Sequence, residues 1–243
     1  MKITILADAD SVARDAARII AAEARTSVAA RGRFSVAFSG GSTPKHMLRA
    51  LAGEDVPWQS VHVVQVDERV APAGDPDRNL IQLRKSLLEN TSLRPEQLYA
   101  MPVESSDLRS AATRYALTLK EIAGSPPALD LAHLGLGSDG HAASLVPGDP
   151  ALSVTEVDVA LTGIYQGRQR MTLTFPMLNR SRRILWLVTG SEKAGMLVRL
   201  CDGDVTIPAG RILRDHALVI ADRAAAAQLE TNAASTSVLF EHR

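Results

Sequence analysis

A chain of 243 residues is long enough for one large α/β domain or two small ones, and an apolar content of 46 % supports a full core. Lys plus Arg equal Asp plus Glu at 27 each, so no global field would draw nucleic acid or an anionic membrane, and an anionic ligand would have to be met by local charge. The single cysteine, Cys201, excludes an internal disulfide and a thiolate zinc cluster; the first residues hold too short an apolar run for a signal peptide, and no stretch approaches the roughly 20 apolar residues of a membrane span, so a soluble cytoplasmic protein is expected.

In chain order, residues 2–7 alternate weakly and predict a first strand at an edge of the sheet. Asp10 or Ser11 caps the helix that follows, about residues 11–31, where Val12, Ala16, Ile19, Ile20 and Ala24 recur at helical spacing and Gly32 ends it. Residues 34–38 form a short apolar run suited to a strand buried on both faces. It runs into Ser39-Gly40-Gly41-Ser42-Thr43-Pro44, where Thr43 suits an N-cap and Pro44 the first position of a helix to about Ala52.

Residues 61–66 predict a third strand, ending in Asp67-Glu68-Arg69. A loop with Pro72, Gly74 and Pro76 follows, then a helix over about 79–89, a short strand near 98–101 and a helix over 107–123 stopped by Gly124-Ser125-Pro126-Pro127. Residues 130–148 (DLAHLGLGSDGHAASLVPG) begin as an apolar strand, break into glycines and deliver Asp139 and His141 two residues apart. Later strands are predicted over 157–161, 170–175 and 183–189. The last of these ends in Gly190-Ser191-Glu192-Lys193 and a helix to about Leu200. A strand over 217–220, an Ala-rich helix over 223–229 and a terminal strand at 238–240 complete the chain. This alternation predicts an α/β fold, a mostly parallel sheet with helices on both faces, in one domain over residues 1–243.

In open parallel sheets ligands sit beyond the carboxyl ends of the strands, where the strand order reverses. Four motifs lie at such ends, and the expectation is that they share one crevice. Gly40, Gly41, Ser42 and Thr43 stand at a helix start, where glycines turn backbone N–H groups toward a ligand and the helix end favours an anion. An ordinary capped turn would read the same way, and the spacing of Lys45 is not that of a Walker loop. Lys193, in the first turn of its helix, opposes the helix dipole, which an adjacent anion would explain; a solvated lysine is the plain alternative. In the third motif Arg69 suits an anionic oxygen or a carboxylate, and Asp67 suits proton transfer or orientation of a partner; an ion pair holding the loop accounts for at least one member. His141 suits a general base, since histidine titrates nearest neutrality, and Asp139 suits the carboxylate that fixes its tautomer. His46, His62, His133, His216 and His242 lack that setting and read as structural.

Gly135-x-Gly137-x-x-Gly140 matches the dinucleotide fingerprint by letter, but Asp139 would face the pyrophosphate, and Pro147 and Pro150 leave little room for the long helix it requires. No GxSxG elbow is present, and no His, Cys and carboxylate spacing makes a metal site by itself.

Taken together, SGGSTP, DERxxP followed by DxN (Asp67 to Asn79), GLGSDGHAASLVPG, RMTLT and LVTGSEKA resemble the 6-phosphogluconolactonase family in order and spacing, over about residues 34–213. The resemblance implies a Rossmann-like fold similar to that of glucosamine-6-phosphate deaminase and ribose-5-phosphate isomerase. It implies hydrolysis of 6-phospho-D-glucono-1,5-lactone to 6-phosphogluconate in the pentose phosphate pathway, with no organic cofactor. Carried onto this chain, the catalytic histidine is His141 with Asp139 as its partner acid; Asp67 stays a catalytic candidate on its residue type and place alone. The phosphate loop is Gly40, Gly41, Ser42 and Thr43; Arg69 faces substrate and Lys193 holds phosphate. Arg170 also matches, but it precedes its strand and reaches the site only if that strand runs antiparallel to its neighbours.

Departures from the family pattern are Arg78 and Leu80 around Asn79, Ser138 where proline is common, and Ala142 where threonine is. The expected partner is a small sugar-phosphate lactone, bound by a monomer or small homo-oligomer that takes neither nucleic acid nor membrane. The rivals are a sugar-phosphate deaminase or isomerase, against which Arg69 and the Ala142-Ala143-Ser144-Leu145 continuation count, and a non-catalytic sugar-phosphate sensor, which would need neither Asp139 nor His141.

Overall fold

Strands that are apolar at every position must be covered on both faces, and this requirement sets the architecture. The computed structural model describes residues 1–229 and 239–242. The first half of the chain gives β1 (Lys2–Leu6), α1 (Ala9–Arg31), β2 (Phe34–Phe38), α2 (Ser42–Ala52), β3 (Val61–Gln65), β4 (Asp67–Arg69), α3 (Asn79–Leu83), β5 (Leu98–Tyr99) and α4 (Leu108–Ala123). The second half gives β6 (Leu131–Gly135), β7 (Val159–Leu161), β8 (Arg170–Leu173), α5 (Phe175–Asn179), β9 (Ile184–Val188), α6 (Ala194–Asp202), β10 (Ala217–Asp222), α7 (Arg223–Ala226) and β11 (Leu239–His242).

The main sheet has eight strands in the order β11-β1-β10-β9-β6-β2-β3-β5, and every pairing in it is parallel. A second sheet, β4-β8-β7, is antiparallel. Every residue of β2 and β9 is buried, and alternate residues serve opposite cores. Phe34, Val36, Phe38, Leu185 and Leu187 pack with Ile20 of α1 and with Met47 and Leu51 of α2. Ile184, Trp186 and Val188 pack with Leu119 of α4, Leu197 of α6 and Met171 of the small sheet. Each such side chain contributes ~1.5–3 kcal/mol by leaving water. The buried stripe of α1 is mostly alanine (Ala13, Ala16, Ala17, Ala21, Ala24), which lets a long helix lie close over the sheet. Among the described residues no helix is long and apolar enough to cross a membrane.

Several local expectations are corrected. β1 is not an edge strand, because β10 and β11 flank it on either side. The cap of α1 is Asp8, whose carboxylate accepts the Ser11 N–H at 2.7 Å; Asp10 lies inside the first turn. Thr43 does not cap α2, which starts two residues earlier than expected, with Gly41 at its N-cap and no side-chain cap. Asp67, Glu68 and Arg69, expected at the end of the third strand, form a separate strand of the second sheet. The helix expected over 79–89 divides into α3 and a π-helical turn at Arg84–Leu88. The late helix is short, and Asp222 caps it by accepting the Ala225 N–H at 2.7 Å. The terminal strand runs over Leu239–His242, while Val238 lies outside the described residues.

β2 and β6 are neighbours, yet the chain leaves β2 toward β3 and leaves β6 toward β9. Such a reversal opens a crevice at the carboxyl ends of the strands. The four motifs follow β9, β6, β2 and β3, which are contiguous in the sheet.

Candidate active site

One cavity of about 230 Å³ lies at this reversal, lined by Ser39 to Pro44, Asp67, Arg69, Asn79, Gly135, Leu136, Gly137, His141, Ala143, Arg170, Leu187, Val188, Thr189 and Lys193. The structure thus brings together nine of the ten predicted site residues: Gly40, Gly41, Ser42, Thr43, Asp67, Arg69, His141, Arg170 and Lys193. Asp139 is outside the lining, behind the His141 ring.

The side suited to an anion is built from backbone. Gly41 has φ +127°, a conformation that favours glycine. A Cβ on Gly40 would come within 1.7 Å of Asn79 Oδ1, so only glycine lets this turn lie against the Asn79 side chain. With no side chain capping α2, its first amides are available, and the helix dipole adds positive potential there. The Thr43 hydroxyl meets that of Thr189 at 2.7 Å, tying this turn to the end of β9. Lys193 closes the same corner from a short 3₁₀ turn that follows Gly190. The Asp222 carboxylate accepts the Gly190 N–H at 3.1 Å and so fixes that turn. Among the described residues Lys193 forms no ion pair, and its charge faces the cavity unneutralised.

The acid and the imidazole come from the turn that follows β6. Asp139 Oδ1 accepts the His141 backbone N–H at 3.2 Å and lies 2.6 Å from His141 Nδ1. A carboxylate against Nδ1 places the ring proton there and leaves the Nε2 lone pair free. A Cβ on Gly137 would sit 2.1 Å from His141 Nδ1, so the ring can fold back over the turn only because that residue is glycine. Burial acts to raise the Asp139 pKa, but the His141 charge and the hydrogen bonds from His141 and Tyr165 outweigh it and hold the carboxyl below its ordinary value. The His141 side chain retains 25 % exposure, enough to meet water.

The DER strand divides into distinct parts. Glu68 is fully buried and accepts the backbone N–H groups of Arg69, Asn79 and Leu80 at 2.8, 2.8 and 2.9 Å and the Gln65 amide at 2.8 Å. It is the member that holds the loop. Asp67 accepts the Ser144 hydroxyl, and its backbone carbonyl accepts the Asn79 amide at 2.9 Å. Arg69 donates to Asn79 Oδ1 and to the Asp77 carbonyl.

Arg170 meets the condition set for it: β8 runs antiparallel to β4, with Arg170 directly opposite Arg69. Arg170 is a buried residue, 6 % exposed, and its guanidinium makes long contacts to Ser144 (3.5 Å) and Gln166 (3.4 Å) and none at Nε. Burial lowers its pKa, and the Asp67 charge opposes that shift.

Four contributors escaped sequence reasoning. Asn79 was visible only as part of a DxN pattern, and it proves to link Gly40, Asp67 and Arg69. Ser144 and Thr189 carry no local signal. Tyr165 donates to Asp139 Oδ2 at 3.2 Å from a hairpin tip that periodicity does not mark. No long helix follows β6; the next helical element is the 3₁₀ turn Pro150–Ser153, so the glycine fingerprint does not have its dinucleotide context. Among the described residues no three His, Cys, Asp or Glu side chains converge as metal ligands.

The family model described as glucosamine-6-phosphate isomerases/6-phosphogluconolactonase matches residues 7–220. A 6-phosphogluconolactonase of Synechocystis is 38 % identical over 162 residues, covering 65 % of this chain and 67 % of that one. A 6-phosphogluconolactonase of Mycobacterium tuberculosis is 34 % identical over 241 residues, covering 93 % and 98 %. The solved structure of the 6-phosphogluconolactonase of Trypanosoma brucei superposes with a TM-score of 0.80 at 25 % identity, covering 94 % of this chain and 98 % of that one.

Proposed function

The chain belongs to the glucosamine-6-phosphate isomerase/6-phosphogluconolactonase family, and on that premise we propose that it hydrolyses 6-phospho-D-glucono-1,5-lactone to 6-phosphogluconate, in the pentose phosphate pathway, with His141 as general base. The observation that carries this reading is one cavity with uncapped helix amides and Lys193 in one corner and a carboxylate-bound imidazole in another. A phosphorylated six-carbon lactone needs both ends.

The α2 amides, Thr43 and Lys193 hold the phosphate. His141 Nε2 takes a proton from water as its oxygen bonds to the lactone carbonyl carbon. The carbonyl oxygen gains negative charge, which Arg69 and Arg170 stabilise. The bond from that carbon to the ring oxygen then breaks, and the imidazolium returns the proton to the ring oxygen. Asp139 orients the imidazole and stabilises its charged form. Asp67 anchors Ser144 and Asn79 and so sets the arginines. Such a lactone also opens slowly in water, so the demand on the enzyme is positioning plus general-base help worth ~10²–10⁴-fold.

The test is turnover of freshly generated 6-phosphogluconolactone measured against spontaneous hydrolysis. The wild-type chain is expected to exceed the background by orders of magnitude, and His141→Asn to fold normally and lose ~10²–10⁴-fold in kcat. An undiminished His141→Asn rate would remove the base assignment, and release of ammonia from glucosamine 6-phosphate would move the reaction to the isomerase branch of the family.

A further inference from the structure

The β7–β8 hairpin leans over the catalytic pair. It turns at Gln166 and Gly167, with φ of 50° and 76°. Tyr165 and Arg168 exchange backbone hydrogen bonds of 3.0 and 3.2 Å across that turn. Positive φ at both central residues is the tight-hairpin geometry that matches strand twist, so the tip is a defined piece of structure. Two side chains leave it in different directions. Arg168 pairs with Asp75 at 3.0 Å and Asp77 at 3.2 Å, on the loop that follows β4. Tyr165 reaches the dyad: its hydroxyl lies 3.2 Å from Asp139 Oδ2, its ring stands edge-on to His141 with centroids 5.7 Å apart, and the Arg170 guanidinium sits 5.1 Å from the ring centroid.

We propose that Tyr165 is a positioning residue for the Asp139–His141 pair, held in place by the clasp of Arg168 on Asp75 and Asp77. The inference rests on the reading of His141 as the general base. A carboxylate has two oxygens, and Oδ1 is committed to His141. With Oδ2 tied to a phenol, the carboxylate plane is fixed, and with it the direction of the imidazole lone pair. The phenol remains a donor throughout the working range, because burial and the Asp139 charge push its pKa up. The edge-on ring contact blocks rotation of the imidazole on that side. Among the described residues the other charged groups lining the cavity beside the dyad are Asp67, Arg69, Arg170 and Lys193, and none of them forms a hydrogen bond or ion pair with Asp139 or His141.

Tyr165→Phe keeps the ring and removes only the hydroxyl. The expected result is a ~3–10-fold loss in kcat with KM for the lactone unchanged. The acid limb of kcat/KM, which belongs to the coupled pair, should move to higher pH, because a carboxylate without its phenol donor is more basic and holds the imidazolium proton harder. The Nδ1 proton of His141, read by NMR without turnover, should broaden or shift. Arg168→Ala should reproduce part of the kcat loss, and in the Tyr165→Phe background it should add little. If the wild-type chain is active and depends on His141, yet Tyr165→Phe leaves kcat, the acid limb and the Nδ1 resonance where they were, the positioning role is overturned while the function stands. If His141→Asn turns over like wild type, both fall together.

Discussion

Arg69 and Arg170 stand opposite one another on the β4–β8 ladder, and among the described residues neither forms an ion pair with a carboxylate. Like charges in directly opposed positions destabilise a sheet, and a buried guanidinium with long or missing partners costs more. Such an arrangement is stable only in surroundings that over-determine it, and it suits an oxygen that becomes anionic during the reaction. Arg170→Met is therefore expected to lower kcat by ~10–100-fold while raising Tm of the empty protein by about 2–4 °C, the shift that ~1 kcal/mol brings at this chain length. A melting curve and a lactonase assay on one preparation check this; a variant less stable and fully active would refute it.

Two glycines of the site should differ sharply from Gly195. A Cβ on Gly137 meets the His141 ring, and one on Gly40 meets Asn79, which holds Arg69. Gly137→Ala should abolish most of kcat, and Gly40→Ala should lower activity through displaced Arg69 and cost about 1–3 kcal/mol of stability from overpacking. Gly195, inside α6, has nothing nearer its added Cβ than 3.7 Å. Gly195→Ala should leave activity intact and stabilise by ~0.5–1 kcal/mol. Urea midpoints and kcat of the three variants test the contrast.

The parts of this site that sequence made legible are those fixed by a strand end. The apolar runs of β2, β3, β6 and β9 place SGGSTP, DER, GLGSDGH and TGSEK along adjacent carboxyl ends, so topology alone gathers them. Contacts made across elements carry no period and were not legible. Glu68 caps the amides of Asn79 and Leu80 across an irregular loop, and Tyr165 reaches Asp139 from another sheet. Arg170 was legible only conditionally, since its access depends on strand direction. The cap of α1 was misplaced because Asp8, Asp10 and Ser11 are all competent, and only backbone geometry selects Asp8.

His133 gives a pH dependence whose sign is fixed. It is fully buried beside the turn after β2, its Nδ1 accepting the Ser39 N–H at 3.3 Å, and burial pushes its pKa down to about 3. Above the ordinary histidine value near 6.5 both folded and unfolded chains hold it neutral. Below that value the unfolded chain takes up a proton and the folded one does not until about pH 3. Stability should therefore fall as pH drops through this window, by at most ~1.4 kcal/mol per unit. His62, lowered by burial and by Arg33, adds in the same direction. Asp139, lowered from an ordinary value near 4, enters only at more acid pH. Unfolding free energies of wild type and His133→Gln at pH 7 and pH 5 should converge as pH falls; parallel curves would remove His133 as the cause.

Lys193 separates phosphate binding from chemistry. It stands where α6 begins, and a cation there opposes the helix dipole by ~0.3–1 kcal/mol, so its removal should not destabilise the fold. A hydrogen bond to a charged group is worth ~1.5–3 kcal/mol, so Lys193→Ala should raise KM for the phosphorylated lactone about 10- to 100-fold and change kcat little. The unphosphorylated glucono-lactone lacks the group proposed to meet Lys193, and wild type and variant should hydrolyse it equally poorly. The two substrates compared on the two proteins form a closed cycle. A KM penalty of equal size on both would show that Lys193 acts on the sugar or on the fold, and the phosphate would have to be placed on the α2 amides alone.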